Sequence, residues 1–577
     1  MLRVFSLDMA DPEKFVITLE LVPGIHSKGK SLDNVLHMAE DAFSDGRISA
    51  VSITDNPGGN PSLSPDAIGT EIFRQGMDVI VHFTCRDMNR GGMESRALQL
   101  AMLGIRNILA LSGDYTGRGF GGQGAPVFDL DSVNLICMLK MVNARNNMSG
   151  DPEDYFIGSA VSPFKSTKGE SYAQYAKMSK KAAAGTDFFI TQLGFDARKF
   201  HEIIKVNGKM GCHVPMLASL YVLNPGAARM MNKGRIPGCV VSKKLLHDIE
   251  REWQNKKEGQ KAAIERAARL GVILKGLGYK GIHISGIHKN FDTVGSILDR
   301  MDEIENDWKQ FVPQFEYPQL EGYYMFPEEI FKEDVLNKKK IQPRRKYKDN
   351  PPAESQPFFF KGPKGNPGQR WHKNNSARSA YSSIRLTDNI IRLTDKIKFK
   401  AMDKLHNIFF NFDSPWAPLF KKICQHLDKS AIGRAVVHIL EDPAKIILFS
   451  CKRCGDCGIQ HLAFQCPESG CPKHTRNGAC GGSLNGMCEV RPDHQCVWYR
   501  AYNRLESAGR VHELFSSSEA SGQCVPPRMW ELNGTSSWLN FHLGRDHQTP
   551  SIELARLCSS ITCSFHEIEE TTRPDKL

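Results

Sequence analysis

No stretch of this 577-residue chain is apolar for long enough to span a bilayer. The nearest candidate, AVVHILEDPAKIILF, is interrupted by Glu441, Asp442, Pro443 and Lys445. The opening segment MLRVFSLDMADPEKF lacks the basic flank, apolar run and small-residue cleavage site of a secretory signal. A cytosolic, reducing setting is therefore expected, and a disulfide framework is not. No G-x-G-x-x-G follows the first apolar strand and opens a helix, which argues against a dinucleotide-binding sheet. The net charge of +11 is modest for this length, and much of it lies in NKKKIQPRRKYK at 337–348. That run and the Pro-, Gly-, Ser- and Asn-rich tract after it lack hydrophobic periodicity. They read as a solvated linker rather than a nucleic-acid-binding element.

What is present divides at that linker. Before it, short apolar runs rich in β-branched or aromatic residues alternate with helical patterns. The runs are FVITLELV (15–22), AVSITD (50–55), DVIVHFTC (78–85), NILALSGD (107–114), FIGSAVS (156–162), FFITQLGF (188–195), VPMLASLYVL (214–223) and GIHISGI (281–287). Eight strands alternating with helices predict an α/β fold, a (β/α)8 barrel, with a doubly wound open sheet as the alternative. SLDNVLHMAEDAFSDG reads as a helix with Ser31 as its N-cap and its end near Gly46. REWQNKKEGQKAAIERAARLGVILKGLG reads as one long helix closing the barrel, and GRGFGGQG (117–124) as a mobile loop. The expected organisation is a barrel over 1–312, a linker over 313–380 and a small cysteine-rich α+β domain over 381–577. Residues 386–449 carry helical periodicity, and the aromatic-rich WELNGTSSWLNFHLGRDH is expected to pack on the cysteine-rich domain.

Cysteine is sparse except in one place. Eight of the sixteen, Cys451, Cys454, Cys457, Cys466, Cys471, Cys480, Cys488 and Cys496, fall within fifty residues. In a reducing compartment that density points to metal. A zinc site and a cubane iron–sulfur cluster each take four ligands, so eight suggest two centres. The C-x2-C-x2-C start suits a [4Fe–4S] cluster; zinc at one or both sites stays open, as does the grouping of the ligands. Gly-rich turns such as GACGG are expected to leave backbone N–H groups for cluster sulfur.

In a barrel the chemistry gathers at the C-terminal ends of the strands. Those ends supply Glu20, Thr54, Asp55, His82, Asp114, Ser162 and Gln192. Each alone has a structural reading: His82 as a hydrogen-bonded core histidine, Asp114 as a turn cap. Glu20 is harder to dismiss, because it stands among apolar residues before a Pro-Gly turn.

The ordered set ITLELVPG, VSITD, VHFTC, GIRNILALSGD, AAAGTDFFITQLGFD and GIHISGI resembles the catalytic barrel of the methylenetetrahydrofolate reductase family over about residues 10–305. CGDC, CPKHTRNGACGGS, NGMCEV, WYRAYNRL and TSSWLNFHLGRDH resemble the cysteine-rich domain fused to, or partnered with, such reductases. The resemblance implies a flavin in the barrel and a folate stacked on it, with hydride passing to 5,10-methylenetetrahydrofolate. It implies Glu20 as the general acid, with a raised pKa, and Asp114 as the charge favouring an iminium cation. Flavin contacts carried over are Thr54, His82, Ser112, Gly113, Asp114 and, for a phosphate, Lys181. Gln192 and Lys289 would meet the substrate. Ser112, Phe128 and Lys289 depart from the family's usual Arg, Tyr and Arg, which leaves both FAD and FMN open and weakens direct NAD(P)H binding. Electrons would then enter through two C-terminal [4Fe–4S] clusters from ferredoxin or a redox partner subunit. The alternative is NAD(P)H-driven reduction with a structural zinc domain. Self-association or a larger electron-transfer complex is compatible with either.

Overall fold

The computed structural model describes residues 4–148, 154–319, 322–336, 381–515 and 524–548. Eight parallel strands form a closed barrel: β1 (Val16–Leu21), β2 (Ala50–Ile53), β3 (Val79–Thr84), β4 (Asn107–Leu111), β5 (Phe156–Val161), β6 (Phe188–Thr191), β7 (Met216–Tyr221) and β8 (Gly281–Ser285). Each pairs with its successor, and β8 closes on β1 with Thr18 opposite His283. All eight lie within the runs expected from sequence. Their nearly continuous burial explains why they read as unbroken apolar stretches. The short helix Val4–Ala10 plugs the N-terminal end, where the Phe5 ring meets Phe156 and Phe188 edge-on at 5.8 and 5.2 Å. The opposite end is thereby left as the only one free for a site.

Three local expectations change. Ser31 lies inside the helix Lys30–Asp45, whose N-cap is Gly29; Gly46 ends it in the left-handed region, as expected. The long helix before β8 is two, Lys243–Glu252 and Lys256–Gly276. Asn255 separates them by accepting hydrogen bonds from the N–H groups of Lys257 and Glu258, a cap stronger than the continuing periodicity. The loop at 117–124 contains a small hairpin, Arg118–Gly119 against Gly122–Gln123.

The stretch assigned to the start of the linker at 313 is not loose. Val312 and Phe315 are buried, Tyr323 N–H donates to the Ser166 carbonyl at 2.8 Å, and the helix Glu328–Leu336 buries Phe331 and Val335. Its aromatic residues carry it onto the barrel. The basic run at 337–348 lies outside the described residues.

After residue 380 come three helices, Tyr381–Phe409, Ala417–Asp428 and Ala431–Phe449, and then irregular chain through the cysteines. Helix Val497–Ala508 packs on barrel helix Lys168–Ala183, so that Trp498, Ala501 and Tyr502 share a core with Ala173 and Ala176. The later segment folds back as expected: Ser536 and Ser537 donate to the buried Glu441, and Asn540 Nδ2 donates to the Gly455 carbonyl at 2.9 Å. Among the described residues, no helix is long and apolar enough to cross a membrane.

Candidate active site and thiol centres

A cavity of about 360 Å³ opens at the C-terminal end of the barrel. Glu20, Thr54, His82, Ser112, Gly113, Asp114, Lys181 and Gln192 all line it. Lys289 does not; it is exposed in the loop after β8. Asp55, another strand-end acid, is committed to structure: it accepts from Thr84 and pairs with Arg96 at 2.9 Å. Gly113 has φ +84°, and a Cβ there would meet Thr84 Cβ at 2.9 Å. Only glycine turns the chain so closely past β3.

The cavity walls hold unspent hydrogen-bonding capacity. Thr54 Oγ1, His82 Nε2 and Ser162 Oγ are buried and have no partner in the protein. Buried polar atoms without partners signal a missing polar guest. Burial pushes His82 down to about 4, so its ring is neutral near pH 7. Lys181, buried beside Lys177, is pushed down to about 7 by burial and by that neighbour's charge. Two amines on one helix turn suit a guest with an anionic tail. The chemistry of these walls fits a flavin, with a ring for the orphaned atoms and a phosphate for the lysines.

Glu20 does not have the raised pKa expected of it. Burial pushes its carboxyl up, but His283, with Nε2 at 3.8 Å, outweighs that, helped by His82 and His288, and the net shift is downward. His283 Nδ1 is 2.8 Å from Thr18 Oγ1, which fixes the ring. Sequence reasoning missed His283. The signal was a histidine in the last strand, within GIHIS, in register with Thr18, two residues before Glu20.

The sequence also gave no hint that the second half completes this cavity. Lys473, Ala479, Cys480, Gly481, Gly482 and Glu489 line it with the barrel residues. Lys473 Nζ donates to the Gly113 carbonyl at 2.7 Å and pairs with Glu489. From the barrel, Lys165 donates to the carbonyls of Gly481 and Ser483, and Lys177 to that of Gly478. Gly478 has φ +140°, and a Cβ there would sit 2.6 Å from Lys177. The joint is anchored by RNGACGGS. Asp131, at the start of barrel helix Ser132–Met148, accepts from the N–H groups of Arg476 and Asn477, and buried Asn477 also exchanges hydrogen bonds with Val525. The carbonyls of the turn around Cys480 are taken by barrel lysines.

The eight clustered cysteines sort into two foursomes in chain order. Cys451, Cys454, Cys457 and Cys466 line one small cavity, with Lys445 Nζ 3.4 Å from Cys457 Sγ. Cys471, Cys480, Cys488 and Cys496 line a second, with Lys473 and Glu489. Spacing alone had left this grouping open. Among the described residues, no three His, Cys, Asp or Glu side chains converge closely enough to hold a single metal ion. A buried lysine, Lys445 or Lys473, lies beside each foursome. Lys473, Cys480 and Glu489 border both the second foursome and the barrel cavity.

Comparison with known proteins follows this division. Residues 6–302 match the family model described as methylenetetrahydrofolate reductase, and residues 433–523 match that described as methylene-tetrahydrofolate reductase C terminal. A curated Caenorhabditis elegans protein, "Probable methylenetetrahydrofolate reductase (NADPH)", is 24% identical over 270 residues; the match covers 45% of this chain and 38% of that protein. Among solved structures, a Clostridium thermocellum protein described as binding two copies of 5-methyl-5,6,7,8-tetrahydrofolic acid aligns at TM-score 0.36 and 12% identity, covering 53% of this chain and 99% of its own. A 2,3-dimethylmalate lyase aligns at TM-score 0.30 and 15% identity, covering 58% and 94%. Neither structural likeness is close enough to carry an argument. With its closed eight-stranded barrel and a family match over more than half of its length, the chain belongs to the methylenetetrahydrofolate reductase family.

Proposed function

We propose that this protein reduces 5,10-methylenetetrahydrofolate to 5-methyltetrahydrofolate in the barrel cavity, with electrons entering through two iron–sulfur centres in the cysteine-rich half. The observation that carries the reading is the shared wall: Lys473, Cys480 and Glu489 face both the second cysteine foursome and the barrel cavity. An electron leaving that foursome meets the cavity without crossing a second layer of protein.

Thr54, His82 and Ser162 would hold the ring of a flavin, and Lys181 with Lys177 its phosphate. A flavin held there would supply the hydride, and clusters held by the two cysteine foursomes would supply its electrons one at a time. Gln192 offers donor and acceptor to the folate's pterin edge. Asp114 holds negative charge where a cationic iminium would form. Glu20, 3.8 Å from His283 Nε2, would deliver a proton to folate N10 as the ring opens. The balance is one hydride to the methylene carbon and one proton to nitrogen.

Protein prepared without air should contain iron and acid-labile sulfide for two four-iron clusters per chain, with flavin bands over broad iron–sulfur absorption. Stoichiometric zinc without iron would overturn the electron-entry part. The second reading, reduction by NADPH with structural zinc, draws on the name of the nematode relative. Rapid anaerobic bleaching of the flavin by NADPH would favour it.

A further inference from the structure

Helix Ala431–Phe449 has two unlike sides. Gly433, Val437, Glu441 and Lys445, spaced four apart, are buried, and Glu441, Lys445 and Phe449 wall the cavity of the first cysteine foursome. On the other side Ile432, Val436, Ile439, Leu440, Ile446 and Ile447 are 42–82% exposed. At 100° per residue those six fall within an arc of about 120°. Trp416, Leu419 and Ile423 extend the apolar surface along the preceding helix, each more than 40% exposed. Exposed apolar faces of this extent are uncommon on a protein surface and point to an interaction site.

Charge narrows the partner. Between residues 395 and 453 every exposed charged side chain is Lys or Arg except Asp413. The half-buried acids are already paired: Asp395 with Arg500 and Arg504, Asp403 with Arg510, Asp428 with Arg545, Asp442 with Arg453. The surface is therefore apolar at its centre and basic at its rim, the complement of an acidic protein with an apolar contact patch. Position narrows it further. The outer side of this helix is one helix diameter, about 10–12 Å, from the side that walls the foursome. Electron transfer weakens steeply with distance, so a carrier seated here is close to the first centre, and the second centre leads on to the barrel.

We propose that the exposed face of Ala431–Phe449, with Trp416, Leu419 and Ile423, is the docking site of a small acidic iron–sulfur electron carrier of the ferredoxin type. The inference rests on the electron-entry reading above. Each encounter oxidises one carrier by one electron and reduces the first centre by one; two encounters supply the electron pair of one hydride.

The test uses the full-length, air-free holoprotein and a reduced two-[4Fe–4S] ferredoxin. The variant Ile439→Glu/Ile447→Glu should lower the second-order rate of reduction by ferredoxin at least tenfold. The variant Lys421→Glu/Lys422→Glu should lower it several-fold and flatten its dependence on salt. Reduction by dithionite, the cluster spectrum and iron content should not change in either. Unchanged ferredoxin rates in iron-loaded variants would overturn the docking site while leaving the electron-entry reading intact. A wild-type protein without iron would overturn that reading itself. Three further outcomes each assign the face to another occupant and overturn the proposal. They are wild-type binding to anionic phospholipid vesicles that the first variant loses, a wild-type dimer that it dissociates, and a melting point that it lowers by several degrees, which would mean that the chain's own residues cover the face.

Discussion

From the first barrel strand to residue 336, three described non-glycine residues have positive φ: Asn56, Phe128 and His213. Between residues 450 and 485 there are six: Ser450, Arg453, Ala463, Phe464, His474 and Asn485. The barrel buries β-branched and aromatic side chains on regular strands. Both halves bury ion pairs, Arg96 with Asp55 and Asp66 in the barrel, and Arg476 with Asp456 and Glu468, Lys445 with Glu441 and Lys473 with Glu489 in the cysteine-rich half, but the second does so largely on irregular chain. Left-handed backbone at non-glycine residues costs about 1 kcal/mol or more each, and buried ion pairs return little net stability. On the proposed reading, thiolate-bound metal would add stability to a region built this way. The comparison teaches that the two halves respond to different insults although they share one cavity.

The largest expected contrast is chemical. Glu20→Gln should keep flavin and cluster spectra while folate reduction falls about 10²–10⁴-fold, since an amide cannot supply the proton. Cys454→Ser should do the reverse, sparing a barrel reduced by dithionite while blocking partner-driven turnover. Near-normal folate turnover in Glu20→Gln would break the assignment of chemistry to the barrel.

Next comes packing. Phe188 is fully buried inside the barrel, against Phe5 and Phe156. Phe188→Ala should cost about 3–5 kcal/mol in denaturant unfolding, with cysteine-region spectra lost only as the barrel melts. A loss below 1 kcal/mol would mean that the barrel does not rest on its apolar interior.

A pH dependence should follow from His82. Its folded value of about 4 lies below the ordinary 6.5. Between those values the unfolded chain binds a proton that the native chain does not, so stability falls as pH drops from about 6.5 to about 4. The loss is on the order of 2–3 kcal/mol. His82→Leu should flatten that slope in denaturant melts at pH 7 and 4.5; an unaltered slope would refute the burial argument.

The smallest effect is at the joint. Asn477→Ala strands hydrogen-bonding groups on Asp131 and Val525 and should cost about 1–3 kcal/mol. Limited proteolysis should separate the halves before the barrel unfolds.

How much was legible follows the same division. The strands could be read because their neighbours in space are their neighbours in sequence, and each is a short apolar run. Glu20, Thr54, His82, Asp114 and Gln192 could be read as strand ends, and the cavity gathers them. His283 was hidden because a single histidine in an apolar strand looks structural. The aromatic stretch after 312 was masked by the basic run that follows it. Lys473 was hidden because its partner, the Gly113 carbonyl, lies 360 residues away, and Glu489 because it pairs with Lys473. Cysteine spacing could give the number of centres but not their grouping, because irregular chain carries no period from which to infer proximity.

The hydrogen bond from Lys473 to the Gly113 carbonyl has one more consequence. The barrel cavity has no roof of its own: its ceiling is supplied by the cysteine-rich half. A gene cut between the two would yield a chalice open to bulk solvent and dissolved oxygen. If the proposed function holds, fusion in a single polypeptide would couple arrival of current to exclusion of water.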